Sequence, residues 1–170
     1  MSGSNFFLDK SDPASWRALN GLAFKVADAA QQAGVPRLVL ELVNVRISQL
    51  NGCAFCLDLH VRLAREAGAS EQQIAVLPAW RETTVFTPIE RAALTVGEAA
   101  TELPGHGRLQ TEMSAARAVL TDGQYSALQW AAVTMNAFNR ISILSGHPVR
   151  PRAAEAGDRG AGQEAVGSPA

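Results

Sequence analysis

The chain has 170 residues, a length that suits one domain with a substantial buried core. Hydrophobic residues make up 47% and charged residues 18%, and the formal net charge is −1; this excludes a disordered polyelectrolyte and gives no electrostatic reason to expect nucleic acid or an anionic membrane as partner. No apolar run approaches a membrane span, and MSGSNFFLDKSDP has no basic stretch followed by an apolar one, so a cytoplasmic location is expected.

Ser11-Asp12-Pro13 has the form of an N-cap with proline at the first helical position, and predicts a helix from Pro13 to Ala33 that stops at Gly34. Pro36 restarts the chain. RLVLELVNVRIS, residues 37–48, is rich in β-branched residues, but Arg37, Glu41, Asn44 and Ser48 recur at steps of four, three and four. That is one polar stripe on a helix; on a strand the four would divide between two faces. Asn51-Gly52 breaks this helix, and another is expected from Cys53 to Ala67, stopped by Gly68. Ser70–Gln73 and Thr87–Glu90 are capping-box patterns opening helices to about Leu77 and about Leu103. Further helices are expected at about Glu112–Leu120 and, opened by Thr121-Asp122, at about Gln124–Ile143. The prediction is therefore all-α: one domain of six to seven helices over residues 1–147. Residues 148–170 carry no large apolar side chain beyond valine and predict a disordered tail.

The chemistry concentrates in NGCAFCLDLH, residues 51–60, which holds both cysteines of the chain and one of its three histidines. A helix beginning at this turn puts Cys53 near an N-terminus, where free N–H groups and the helix dipole favour a thiolate. Cys53 and Cys56 share a face at disulfide-forming range. His60, one turn beyond Cys56, is placed to accept a thiol proton. Glu41, at the centre of the polar stripe, can orient that imidazole if the Asn51-Gly52 turn folds the two helices together. This set matches thiol peroxide reduction: a thiolate attacks the O–O bond, becomes a sulfenic acid, and condenses with the second thiol to a disulfide that an external dithiol reduces.

The pattern E-L-V-x-V-R-I-S-x-x-N-G-C-x-x-C-x-x-x-H, Glu41 to His60, resembles the core motif of the alkylhydroperoxidase D-like (AhpD-like) family of the carboxymuconolactone decarboxylase superfamily. The likeness continues through residues 63–74, 79–99 and 120–141. The resemblance implies an all-helical protein assembled as a homo-trimer or homo-hexamer, with no cofactor. It implies a peroxidase in which Cys56 attacks the hydroperoxide, Cys53 resolves and meets a dithiol reductant of lipoyl or thioredoxin type, and Glu41 and His60 relay the proton. The helix-dipole argument taken alone favours Cys53 as the more acidic thiol, so the two arguments name different attacking sulfurs. One departure stands out: the family's best-known peroxidase has a second histidine just before the second cysteine, where this chain has Phe55. The parent decarboxylases usually lack the cysteine pair, which argues against decarboxylation.

Other readings use the same residues. Two buried cysteines can be small hydrophobes. Cys53, Cys56 and His60, with Glu41 or a water, could hold zinc, but a structural site normally shows a second ligand pair and none is present, so no metal is expected. A disulfide reductase, another superfamily activity or a non-enzymatic redox-sensing oligomer could use the pair too; a sensor would oxidise once without turnover. His106 and His147 are expected in exposed loops, and Arg46 in either a buried ion pair or a subunit contact. Trp16, Trp80, Trp130, Phe86 and Phe138 are expected in the core or between subunits. No glycine-rich loop follows a strand, so no nucleotide is implied.

Overall fold

The structure, a computed structural model, describes residues 6–152. Among them are α1 (Leu8–Ser11), α2 (Pro13–Gln32), α3 (Arg37–Asn51), α4 (Ala54–Glu66), α5 (Glu71–Val76), a 3₁₀ turn (Leu77–Glu82), α6 (Pro88–Glu102), α7 (His106–Arg117) and α8 (Asp122–Ser145). No strand occurs among the described residues, and none of their helices is long and apolar enough to cross a membrane.

Local chemistry sets most of these boundaries. Asp12 Oδ1 accepts from the N–H groups of Ala14 and Ser15 at 3.0 and 3.2 Å, with Pro13 at the first helical position, and so opens α2. Ser70 with Gln73, Thr87 with Glu90 and Thr121 with Gln124 form reciprocal capping boxes at the starts of α5, α6 and α8. Two starts differ from expectation. The single turn α1 has no side-chain cap to announce it. Helix α7 begins at His106, not near Glu112, because its N-cap is Gly105 and Gly107 sits in its first turn; neither glycine favours a helix, so the start is hidden in the sequence. His106 is accordingly helical rather than in a loop.

The β-branched segment 37–51 is helical and central: α3 packs against α4, α6 and α8. Val39, Val43 and Ile47 join Val96, Leu128 and Ala132 in one core cluster, while Leu42 and Val45 join Leu77, Trp80, Phe86 and Leu94 in another. With apolar neighbours on both sides, its polar stripe is covered beyond Arg37, which stays exposed at the start of the helix. Glu41 is 8% exposed and Ser48 is fully buried. Helix α6 comes close enough that a Cβ on Gly97 would lie 3.0 Å from Val43 Cγ1.

Arg46 belongs to a buried ion pair. Glu98 of α6, 4% exposed, accepts from Arg46 Nε at 2.6 Å, Trp80 Nε1 at 2.9 Å and Arg81 Nη2 at 2.7 Å. One carboxylate thereby ties α3, the 3₁₀ turn and α6 together. Burial pushes its pKa up, but hydrogen bonds from Trp80 and Arg46 and the charges of Arg46 and Arg81 outweigh burial, leaving it below the ordinary 4.5. A carboxylate with a depressed folded pKa stabilises the fold above its unfolded pKa and loses that contribution as pH falls through the folded value. Glu98→Ala is expected to cost about 3–5 kcal/mol at pH 7 by urea melts, because it strands Arg46 and the Trp80 N–H. The difference from wild type should narrow as the pH is taken below 4.5. Equal midpoints at pH 7 would mean that the carboxylate contributes nothing.

Candidate active site

Helix α3 ends in a Schellman turn: Gly52 is left-handed (φ 67°), its N–H donates to Gln49 O at 3.2 Å, and the Cys53 N–H donates to Ser48 O at 3.0 Å. This turn makes Cys53 the N-cap of α4, with its sulfur accepting the Cys56 N–H at 3.4 Å. The turn is held from the far side by α8. Asn51 Nδ2 donates to Asn136 Oδ1 and Asn139 Oδ1, both at 2.9 Å, and Asn139 Nδ2 donates to Ser48 Oγ at 3.2 Å.

Three of the four residues singled out by sequence, Glu41, Cys56 and His60, line one cavity, and the fourth, Cys53, adjoins Cys56. Cys53 and Cys56 are free thiols, 2% and 4% exposed. Glu41 reaches across from α3 to His60 of α4, with Oε2 2.8 Å from Nδ1. An ionised carboxylate can only accept, so Nδ1 carries the hydrogen and Nε2 is left as the basic nitrogen. Glu41, Cys56 and His60 all line a cavity of about 980 Å³, whose other walls include Trp16, Leu40, Phe55, Met135 and Phe138. Cys53 is not among the cavity walls; it packs behind Cys56 in the core.

Three further residues line the same cavity and lead away from Cys56: Ser142 and Asp9, which sequence reasoning passed over, and His147, which it placed in an exposed loop. The Cys56 sulfur is 3.5 Å from Ser142 Oγ, Ser142 Oγ is 3.3 Å from His147 Nδ1, and His147 Nε2 is 3.1 Å from Asp9 Oδ1. The expectation of an exposed His147 is thus overturned: its side chain keeps 14% of its surface, with Phe7 stacked on the ring at 5.6 Å and Phe55 tilted against it at 5.2 Å. A second Schellman turn places it. Gly146 is left-handed (φ 60°), and the His147 N–H donates to Ser142 O at 3.1 Å, folding residue 147 back over residue 142. The sequence signal was a glycine closing a long helix, Ser145-Gly146-His147. Residues 148–152 then run along the cavity without forming a helix, and Arg152 pairs with Asp58 of α4. The rest of the expected tail, 153–170, lies outside the described residues, as do residues 1–5.

The carboxymuconolactone decarboxylase family model matches residues 13–99, from α2 through most of α6, and so includes Glu41, Cys53, Cys56 and His60. The chain belongs to the carboxymuconolactone decarboxylase family. A Bacillus subtilis relative, the uncharacterised protein YdfG, is 39% identical over 118 residues, covering 69% of this chain and 80% of that protein. The alkyl hydroperoxide reductase AhpD of a Bradyrhizobium species is 40% identical over 75 residues, covering 43% of this chain. The chain spans 41% of that reductase's length. The crystal structure of an Agrobacterium tumefaciens protein of unknown function, for which a role as the antioxidant defence protein AhpD has been suggested, superposes with a TM-score of 0.74 at 31% identity, covering 87% of this chain and all of the other. The all-α, AhpD-like fold expected from the motif is therefore the fold of this family member.

Two thiols in one family motif need not be equivalent. Burial pushes the Cys53 thiol up to about 11, and hydrogen bonding with Cys56 adds to the rise; the Cys56 N–H and the Ser142 hydroxyl pull the other way and lose. The helix-terminus argument for an acidic Cys53 fails here for that reason: the N–H groups are present, but the sulfur has left water to reach them. Among the described residues, no group of three or more His, Cys, Asp or Glu side chains is placed to hold a metal ion.

In a Cys56→Ser variant, the rate of iodoacetamide modification of Cys53 should rise with a midpoint above the ordinary 9.0. A thiol with a raised folded pKa also stabilises the fold fully below its unfolded pKa and loses that contribution as pH rises through the folded value, so urea midpoints should fall between pH 9.0 and about 11. An alkylation midpoint at or below 9.0 would mean that burial does not control this thiol.

Proposed function

We propose that the protein is a thiol-dependent peroxidase that reduces organic hydroperoxides, with Cys56 as the attacking and Cys53 as the resolving thiol. The observation that carries this reading is the position of Cys56: it is the cysteine that lines the cavity, with the Glu41–His60 pair beside it. The relationship to alkyl hydroperoxide reductases supports the same chemistry.

A hydroperoxide enters with its organic part against Trp16, Leu40 and Phe138. Thr134, which also lines the cavity, has a buried hydroxyl with no partner among the described residues, and this offers a hydrogen bond to a substrate oxygen. The Cys56 thiolate attacks the outer peroxide oxygen; an S–O bond forms, the O–O bond breaks, and sulfur supplies the electron pair. The departing alkoxide takes a proton from the His60 side and leaves as an alcohol. Cys53 then attacks the sulfenic sulfur, an S–S bond forms, and hydroxide leaves as water with the Cys53 proton. A dithiol of lipoyl or thioredoxin type returns the pair to thiols. The assembly is a homo-trimer or homo-hexamer, and its contacts use the exposed apolar residues Phe24, Trp130, Val133 and Leu144. The reaction belongs to the cytoplasm, where such dithiols are kept reduced.

Rapid mixing of the reduced protein with cumene hydroperoxide tests the reading, with free thiols counted over time. Both thiols should disappear far faster than a free thiol in solution, and a dithiol should restore them for repeated cycles. Cys56→Ser should abolish peroxide consumption, and Cys53→Ser should stop after one sulfenic acid, trapped with dimedone. Glu41→Gln and His60→Gln should slow the first step by about 10²-fold. Loss of thiols at the solution rate would sink the peroxidase reading. Fast oxidation that no dithiol reverses would instead indicate a redox sensor.

A further inference from the structure

The Glu41–His60 pair makes no hydrogen bond to the sulfur it is meant to serve. Among the described residues, the side chain hydrogen-bonded to Cys56 Sγ is Ser142. Behind it stand His147 and Asp9, and all three lie outside residues 13–99.

We propose that Ser142, His147 and Asp9 form a second proton path to Cys56, in which Ser142 is a catalytic residue in contact with the reacting sulfur and His147 and Asp9 act as positioning residues through it. This deepens the peroxidase reading and rests on it for the role of Cys56.

The directions of the hydrogen bonds follow from the donor inventory. The Asp9 carboxylate only accepts, so His147 Nε2 carries the ring hydrogen. Nδ1 is then an acceptor, and the Ser142 hydroxyl donates to it. The Ser142 oxygen is left free to accept the Cys56 S–H. Every donor in the chain points away from the sulfur, which is the polarity needed to remove its proton. In the transfer the Cys56 S–H bond breaks and its proton goes to Ser142 Oγ, while the proton of Ser142 passes to His147 Nδ1. The products are a thiolate, a neutral serine and an imidazolium beside the Asp9 carboxylate. No electrons leave the protein in this step. When the thiolate attacks a hydroperoxide, the departing alkoxide is protonated from the His60 side; His147 afterwards releases its proton to water and His60 takes one up, so the protons balance.

The arrangement is held from several directions. Phe7 stacks on the His147 ring and Phe55 tilts against it, the Schellman turn fixes its backbone to Ser142, and the Leu8 N–H donates to Ser145 Oγ at 3.0 Å, which anchors the segment bearing Asp9. The His147 and Asp9 side chains keep 14% and 16% of their surface, so water does not screen them as it would a surface pair. Other charged or titratable groups facing this cavity are Lys10 of α1, Glu41 of α3, Asp58 and His60 of α4, and Arg150 and Arg152 of the following segment; α2 and α8 add no charged side chain to its walls.

The test reads the thiol directly, without peroxide. In a Cys53→Ser background, the rate of Cys56 modification by iodoacetamide is followed from pH 5 to 10, together with thiolate absorbance near 240 nm. Ser142→Ala and His147→Gln should move the midpoint upward by about one unit, a roughly tenfold lower rate at neutral pH on the acidic limb. Ser142→Thr, which keeps the hydroxyl, should restore the profile, and Asp9→Asn should give part of the loss. Thermal melts of each variant identify any that has lost its fold, and the Thr rescue removes that ambiguity for Ser142. Profiles of Ser142→Ala and His147→Gln that superimpose on the Cys53→Ser parent would overturn the proposal. Because no peroxide is involved, an inactive wild type in the cumene hydroperoxide assay would overturn the peroxidase reading and leave this measurement to judge the proton path alone.

Discussion

The side chain of Asn51 gives both of its amide hydrogens to α8, one to Asn136 and one to Asn139. It occupies the last residue of α3, where the chain must turn, and it makes that turn part of the core. Asn136 passes the network on to Thr101 of α6 at 2.9 Å, and Asn139 passes it to Ser48 of α3. A buried amide left without partners costs about 1–3 kcal/mol, so these groups do not tolerate a shifted register between α3 and α8. The consequence reaches the thiols. Cys53 is two residues beyond Asn51, and Cys56 contacts Ser142, one helical turn along α8 from Asn139. The polar clasp that fixes the helices therefore also fixes the distance between the sulfur and the serine.

Two glycines deliver the site residues by the same device. Gly52 and Gly146 each take the left-handed conformation at a helix end, and each returns the following residue toward the carbonyl of the preceding turn. In one case that residue is Cys53, in the other His147. A helix interior presents side chains only at fixed angles. The first turn makes Cys53 the N-cap of the helix that carries Cys56, and the second folds His147 back onto Ser142, which is how two chain segments far apart in sequence put the Cys56 thiol and an imidazole on either side of one serine.

This explains what the sequence did and did not reveal. Glu41 and His60 were legible because each lies within a regular helix, where spacing fixes the face, and because one short turn joins the two helices. The helical nature of residues 37–51 was legible in its polar stripe despite its valines. That Glu41, Asn44 and Ser48 of the stripe face a cavity and the core rather than water was not, because this depends on the other helices covering them. Asp9 and His147 flank the folded core, in segments with little periodicity, and their meeting depends on the pairing of α1 with the end of α8. The acidity of Cys53 was misjudged for a similar reason: proximity to a helix terminus is local and readable, whereas burial by distant helices is not. Here burial is the larger effect.

A thiol that reduces hydroperoxides has two opposed proton requirements. It must be deprotonated before attack, and a proton must reach the leaving oxygen during attack. A single imidazole can satisfy both by giving back what it took, but only if it reaches both the sulfur and the far oxygen. The geometry around Cys56 offers a division of this work. The Ser142–His147–Asp9 group is bonded to the sulfur, while the Glu41–His60 pair lines the cavity without bonding to it. In the proposed reaction the first is placed to remove the thiol proton and the second to meet the oxygen as it departs. Each imidazole is oriented by its own carboxylate, so each can carry positive charge for part of the cycle without leaving a buried cation unpaired. Phe55 fits this division: its ring packs against His147 and offers no nitrogen to compete with it for the sulfur.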